Sequence, residues 1–175
     1  MGPRPVVLIV AALALAGCGG PSAPGSAEAE LPVMQAALDL AAEDLVDWGC
    51  GHGFTVGTSD QTVRLTVEVA DASRAAPPEP GVVAVDGEAW VGRLVTGADL
   101  FAQWCDDVIE AGEPEVIETA AYPVTGTLTW STDGTGSCDG PATGRLTDAS
   151  TLVDDEVLPL PDLELRNEFF GCFAG

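Results

Sequence analysis

The chain has 175 residues and a formal charge of −22, from 28 Asp plus Glu against 6 Arg, with no Lys, 1 His and 5 Cys. That length suits one ordinary domain, and 46% hydrophobic residues supply a core despite the acidity. The charge excludes a nucleic-acid binder, the missing Lys excludes a Walker-type phosphate loop and a lysine Schiff base, and one His excludes a two-His metal site.

Residues 1–17 carry one basic residue, Arg4, then an apolar run from Val6 to Leu15, then Ala16 and Gly17. The run is too short for a bilayer, which needs about 20 residues, and reads as a secretory signal peptide. Leu15-Ala16-Gly17-Cys18 resembles the lipobox of bacterial lipoproteins. That resemblance implies that Cys18 becomes the mature N-terminus, linked through its sulfur to a diacylglyceryl group. The protein is then expected at the cell membrane, lipid-anchored on the extracytoplasmic face, with the membrane as its first partner. Loss of Arg4 with the signal makes the mature chain one unit more negative. Residues 18–30 (CGGPSAPGSAEAE) are small, polar and interrupted by Pro, as in a flexible tether. Residues 31–175 form the single folded domain.

Leu31, Met34, Leu38, Ala41, Leu45 and Trp48 recur at helical spacing, so 31–47 reads as an amphipathic helix, with Pro32 suited to a first turn. An edge strand around Ala37–Ala41 is the alternative. Cys50, His52, Phe54 and Val56 alternate with Gly51, Gly53, Thr55 and Gly57, and Gly57–Asp60 supplies turn chemistry. Val63, Leu65, Val67 and Val69 then alternate with Thr62, Arg64, Thr66 and Glu68, a strand with one wet face. Residues 50–69 therefore read as a hairpin. A second hairpin is expected from Val82–Val85 and Glu88–Val95 around Asp86-Gly87. Thr96-x-x-Asp99 resembles a capping box before Leu100, Phe101, Trp104 and Val108, a short helix that Gly112 and Pro114 would end. Val124, Leu128 and Trp130 alternate with Thr125, Thr127 and Thr129 in another strand.

Residues 139–153 and 157–171 read as strands around Asp154-Asp155-Glu156. A hairpin centred on Asp155 pairs positions summing to 310, with a bulge. Cys138 and Cys172 satisfy that sum, so Cys138–Cys172 could clip its open end, and Cys50–Cys105 follows by elimination. Four cysteines in an oxidising compartment favour two disulfides over zinc, since no C-x-x-C pair occurs. About seven strands, one or two short helices and disulfide staples point to a mainly β fold: a two-sheet antiparallel β-sandwich of immunoglobulin-like architecture. The Tyr two residues before the second immunoglobulin Cys is missing, Gln103 standing there. Phe54, Trp90, Leu94, Leu128 and Trp130 are the expected core.

No catalytic set is legible. There is no G-x-S-x-G turn, and His52 reads as a strand residue beside a cysteine. Asp133, Thr135, Ser137 and Asp139 alternate like the first ligands of an EF-hand loop, but Gly144 occupies the place of the bidentate Glu. No cofactor is implied. The sequence reads best as a non-enzymatic binding or structural module of the cell envelope. The alternatives are a hydrolase using paired carboxylates and a divalent-cation binder.

Overall fold

The β signals in the sequence are realised in a computed structural model that describes residues 26–42, 44–70, 79–105, 112–133 and 140–171. One helix precedes nine strands: α1 (Ser26–Ala42), β1 (Val46–Asp47), β2 (Gly53–Gly57), β3 (Val63–Val69), β4 (Gly81–Val85), β5 (Trp90–Ala98), β6 (Ile117–Thr132), β7 (Ala142–Val153), β8 (Glu156–Pro159) and β9 (Leu163–Asn167). Among the described residues, no helix is long and apolar enough to cross a membrane.

Helix α1 buries Val33, Ala36 and Leu40, three positions on one helical face, and leaves Met34 and Leu38 exposed. It is shifted from the expected 31–47. It begins at Ser26, inside the stretch read as tether, because Ala27-Glu28-Ala29-Glu30 are good helix formers. It ends at Ala42, and Val46–Asp47 instead pairs with β2. Pro32 thus sits inside the helix rather than in its first turn.

All nine strands join one antiparallel sheet, in the order β1-β2-β3-β5-β6-β7-β8, with β4 on β6 and β9 on β7. The two separately bonded sheets expected from sequence are not what the described strands form. The reason lies in two long strands. β6 carries β5 along 117–124 and β4 along 126–130, on one edge. β7 likewise carries β9 on 142–146 and β8 on 150–153. A register shift between Thr125 and Thr127, with Asp148 opposite at φ 50°, bulges the β6–β7 pair and increases its bend. Phe54 of β2 faces Trp130 of β6 (ring centroids 6.4 Å) and Phe170 just after β9 (5.7 Å), so the two arms enclose one interior. Asn167 Nδ2 donates to the Gly53 carbonyl at 2.6 Å, tying β9 to β2.

Phe54, Trp90, Leu94, Leu128 and Trp130 are all buried, as their alternation predicts. Three local expectations are corrected. First, β4 and β5 do not form a hairpin. Both run antiparallel to β6, Val85 opposite Gly126 and Gly92 opposite Val124, so Asp86–Ala89 is a jog extruded from one line of pairing. Asp86 Oδ1 accepts the Glu88 N–H and Gly87 sits at φ 87°, so the local turn chemistry is present without strand reversal. Second, residues 99–105 form turns, not a helix. Thr96 is still in β5, and Asp99 takes φ 51°. Third, the β7–β8 and β7–β9 registers both sum to 309: Val153 opposes Glu156, and Ala142 opposes Asn167. The turn therefore has two residues, and Leu160 N–H to Ala149 O (2.8 Å) carries the same register through without the expected bulge. This removes the symmetry that singled out Cys138–Cys172; both cysteines lie outside the described residues.

Candidate functional site

β3 departs from its predicted wet face. Arg64 and Thr66 are both buried there: the 99–105 turn folds back over Arg64, and Thr66 donates its hydroxyl to the Arg93 carbonyl of β5. That turn is held by i→i+3 bonds, Ala102 N–H to Asp99 O and Trp104 N–H to Phe101 O, both 3.0 Å. Phe101 fits only because Gly57 has no side chain: a Cβ there would stand 2.5 Å from the Phe101 ring. A disulfide between Cys50 and Cys105, with Cα atoms 5.7 Å apart, closes the turn onto the segment ahead of β2. It sits at the rim, unlike the inter-sheet disulfide of an immunoglobulin core.

Two indoles flank this disulfide in sequence. Trp48 stacks on Phe101 with ring centroids 4.7 Å apart and an 18° tilt. Trp104 donates its indole N–H to the Trp48 carbonyl at 2.9 Å. Behind Trp104 lies the Arg64 guanidinium, 4.4 Å from the ring centroid. Arg64 also donates to the Leu100 carbonyl (2.5 Å) and to Glu118 (2.6 Å), which in turn takes Arg93 at 2.8 Å.

The opposite wall comes from the end of β9. Asn167 is fully buried; besides donating to β2, its Oδ1 accepts the Phe169 N–H at 2.8 Å. This bond turns Phe169 outward, where 63% of its surface is exposed. Asp47 accepts the Arg166 N–H at 3.1 Å, and Arg166 Nε meets Glu168 Oε1 at 2.7 Å. Burial pushes the Asp47 carboxyl above its ordinary value, and the Arg166 bond and charge pull it partly back. Between these walls is a cleft of about 230 Å³, lined by Trp48, Trp104, Cys105, Phe169 and the three charged residues.

Of the residues singled out by sequence, Cys50 and Cys105 meet here. Cys18, Thr135, Ser137 and Asp139 lie outside the described residues. Asp133 follows β6, exposed, with its N–H on the Pro141 carbonyl. His52 is buried on the core side, 5.8 Å from the Phe170 ring, and burial lowers its pKa below the ordinary value. Among the described residues no group of three or more His, Cys, Asp or Glu is placed to hold a metal. Sequence reading missed Asp47, Arg166, Asn167 and Phe169. An Asn in a strand, a poor β former, was the one local signal.

Comparisons of the chain with protein-family models, with curated proteins and with solved structures found no match.

Proposed function

We propose that this is an extracytoplasmic lipoprotein, anchored in the cell membrane through Cys18, whose β domain is a non-enzymatic binding module with the Trp48–Trp104–Phe169 cleft as its binding site. One observation carries the site: a large apolar side chain, Phe169, stands exposed beside two indoles on a frame fixed by a disulfide and by Asn167. Preorganised aromatic groups at a rim are what a binding surface uses for affinity. The carboxylates support binding over hydrolysis. Asp47 is occupied by the Arg166 main chain and Glu168 by its side chain, so the two are not left facing a shared substrate. The folded-over sheet supports a two-layer, immunoglobulin-like scaffold with the cleft at one end.

Only residues 19–25 separate Cys18 from α1, and seven residues span at most about 25 Å. The domain therefore works close to the bilayer. Metabolic labelling with a palmitate analogue tests the anchor: label is expected on the wild type and absent from Cys18→Ser, and label surviving that change overturns it. For the site, Phe169→Ala is expected to keep the wild-type melting temperature and lose the partner recovered from envelope extracts. Undiminished recovery would place binding elsewhere.

A further inference from the structure

The charges of the cleft do not cancel. Two carboxylates, Asp47 and Glu168, face one guanidinium, and Arg166 spends its side chain on Glu168 at 2.7 Å while meeting Asp47 through its main-chain N–H, so the cleft keeps a net negative charge on the Asp47 side. The whole chain repeats that sign, with 28 acids against 6 Arg. The aromatic wall is suited to a cation, since an indole or phenyl face attracts one through its quadrupole. The fold already uses this attraction: Trp104 holds the Arg64 guanidinium at 4.4 Å. Trp104 and Trp48 are each taken on one face, by Arg64 and by Phe101, so each indole has one face left for a newcomer, and Phe169 is the exposed ring beside them.

We propose that the cleft receives a lysine side chain from a basic peptide segment of a partner protein, its ammonium set against Asp47 and its methylenes against Trp48 and Phe169. This rests on the reading of the cleft as the binding site. A basic peptide fits better than a zwitterionic headgroup, whose phosphate would be carried toward a strongly acidic surface. A second copy of this chain is a poor source of the group, because it has no Lys and its own net charge of −22 opposes self-association. Conversion of Asp47 to Asn keeps an oxygen for the Arg166 N–H while removing the charge.

The test is fluorescence anisotropy of a labelled peptide, three lysines flanked by alanines, titrated with the full-length protein in detergent. Saturable binding is expected, weakened about fivefold or more by acetylating the lysines, by Asp47→Asn and by Phe169→Ala. Glu156→Gln, the same loss of charge at the distant β7–β8 turn, is expected to change it by less than about twofold. Arg166→Gln removes a competing cation and should tighten binding. Equal binding of the acetylated peptide overturns the proposal, as does equal weakening by Glu156→Gln and Asp47→Asn. Phosphocholine displacing the peptide as well as free lysine amide does overturns the choice of peptide. If the peptide fails to bind while Phe169→Ala still abolishes recovery of an envelope partner, the lysine assignment falls and the binding site stands. If Phe169→Ala affects neither, both fall.

Discussion

The guanidinium carbon of Arg64 lies 4.4 Å from the centre of the Trp104 ring, and through it the sheet supports the cleft. Arg64 is a β3 residue on the face opposite Val63, Leu65 and Val67, and its side chain is only 6% exposed. A buried guanidinium needs partners for its donors: Leu100 O takes Nη1 and Glu118 takes Nη2, while Nε is left without a hydrogen bond.

Arg64→Ala is therefore expected to cost about 3 kcal/mol, the low end for breaking a buried pair, because Glu118 is one third exposed and keeps Arg93. Glu118→Gln should cost about 1 kcal/mol, since the amide oxygen still accepts one bond. Urea titration at unchanged m-value measures both. A loss below about 0.5 kcal/mol for Arg64→Ala would show that the turn does not depend on this contact.

The Cys50–Cys105 bridge closes a loop of 55 residues. In the chain-entropy account such a loop contributes about 4 kcal/mol, and measured values usually fall at about 2–4. Cys50→Ser with Cys105→Ser should lower stability by that range. It should also raise hydrogen exchange at the Trp104 amide, whose bond to Phe101 O lies in the turn the bridge holds. Protection unchanged in the double variant would mean that Arg64 alone fixes the turn.

Local pattern and non-local pairing separate what was legible. The Val63–Val69 alternation gave β3 its core face because period two is intrinsic to a strand. Arg64 stands on the face that alternation makes wet, and the turn that covers it comes from 36 residues downstream. Asp86-Gly87 has real turn chemistry, yet β6 offers both flanking strands a partner, and long-range pairing overrode the hairpin. The cleft was invisible for the same reason. Its walls meet across separations of 56 residues, Trp48 to Trp104, and 119 residues, Asp47 to Arg166. No periodicity within one segment reports on such encounters.

The β7–β8 turn places Asp154 at φ 48° and Asp155 at φ 69°, the left-handed pair that a two-residue type I′ turn requires. Asp tolerates this less well than Asn or Gly, and two adjacent acids also repel each other. Asp154→Asn with Asp155→Gly should stabilise the domain by about 1 kcal/mol, read from the thermal midpoint. A lower midpoint would mean that the two carboxylates make contacts the fold needs.

His52 gives the pH dependence its sign. Burial holds its imidazole below the ordinary value of 6.5. Between the folded and unfolded values the unfolded chain binds more protons, so stability rises with pH there. The contribution is complete above about pH 6.5 and is lost as pH falls through the folded value. One proton sets a slope of at most about 1.4 kcal/mol per pH unit. Urea titrations from pH 5 to 8 should show this slope in the wild type and its absence in His52→Gln. Asp60, held below its ordinary value of 3.8 by the Thr58 and Thr62 hydroxyls, acts in a separate, more acidic window where its stabilisation is lost as pH falls, and Asp47, raised from 3.8 by burial, acts there with the opposite sign. A slope just below pH 6.5 that survives His52→Gln would assign the titration to another group.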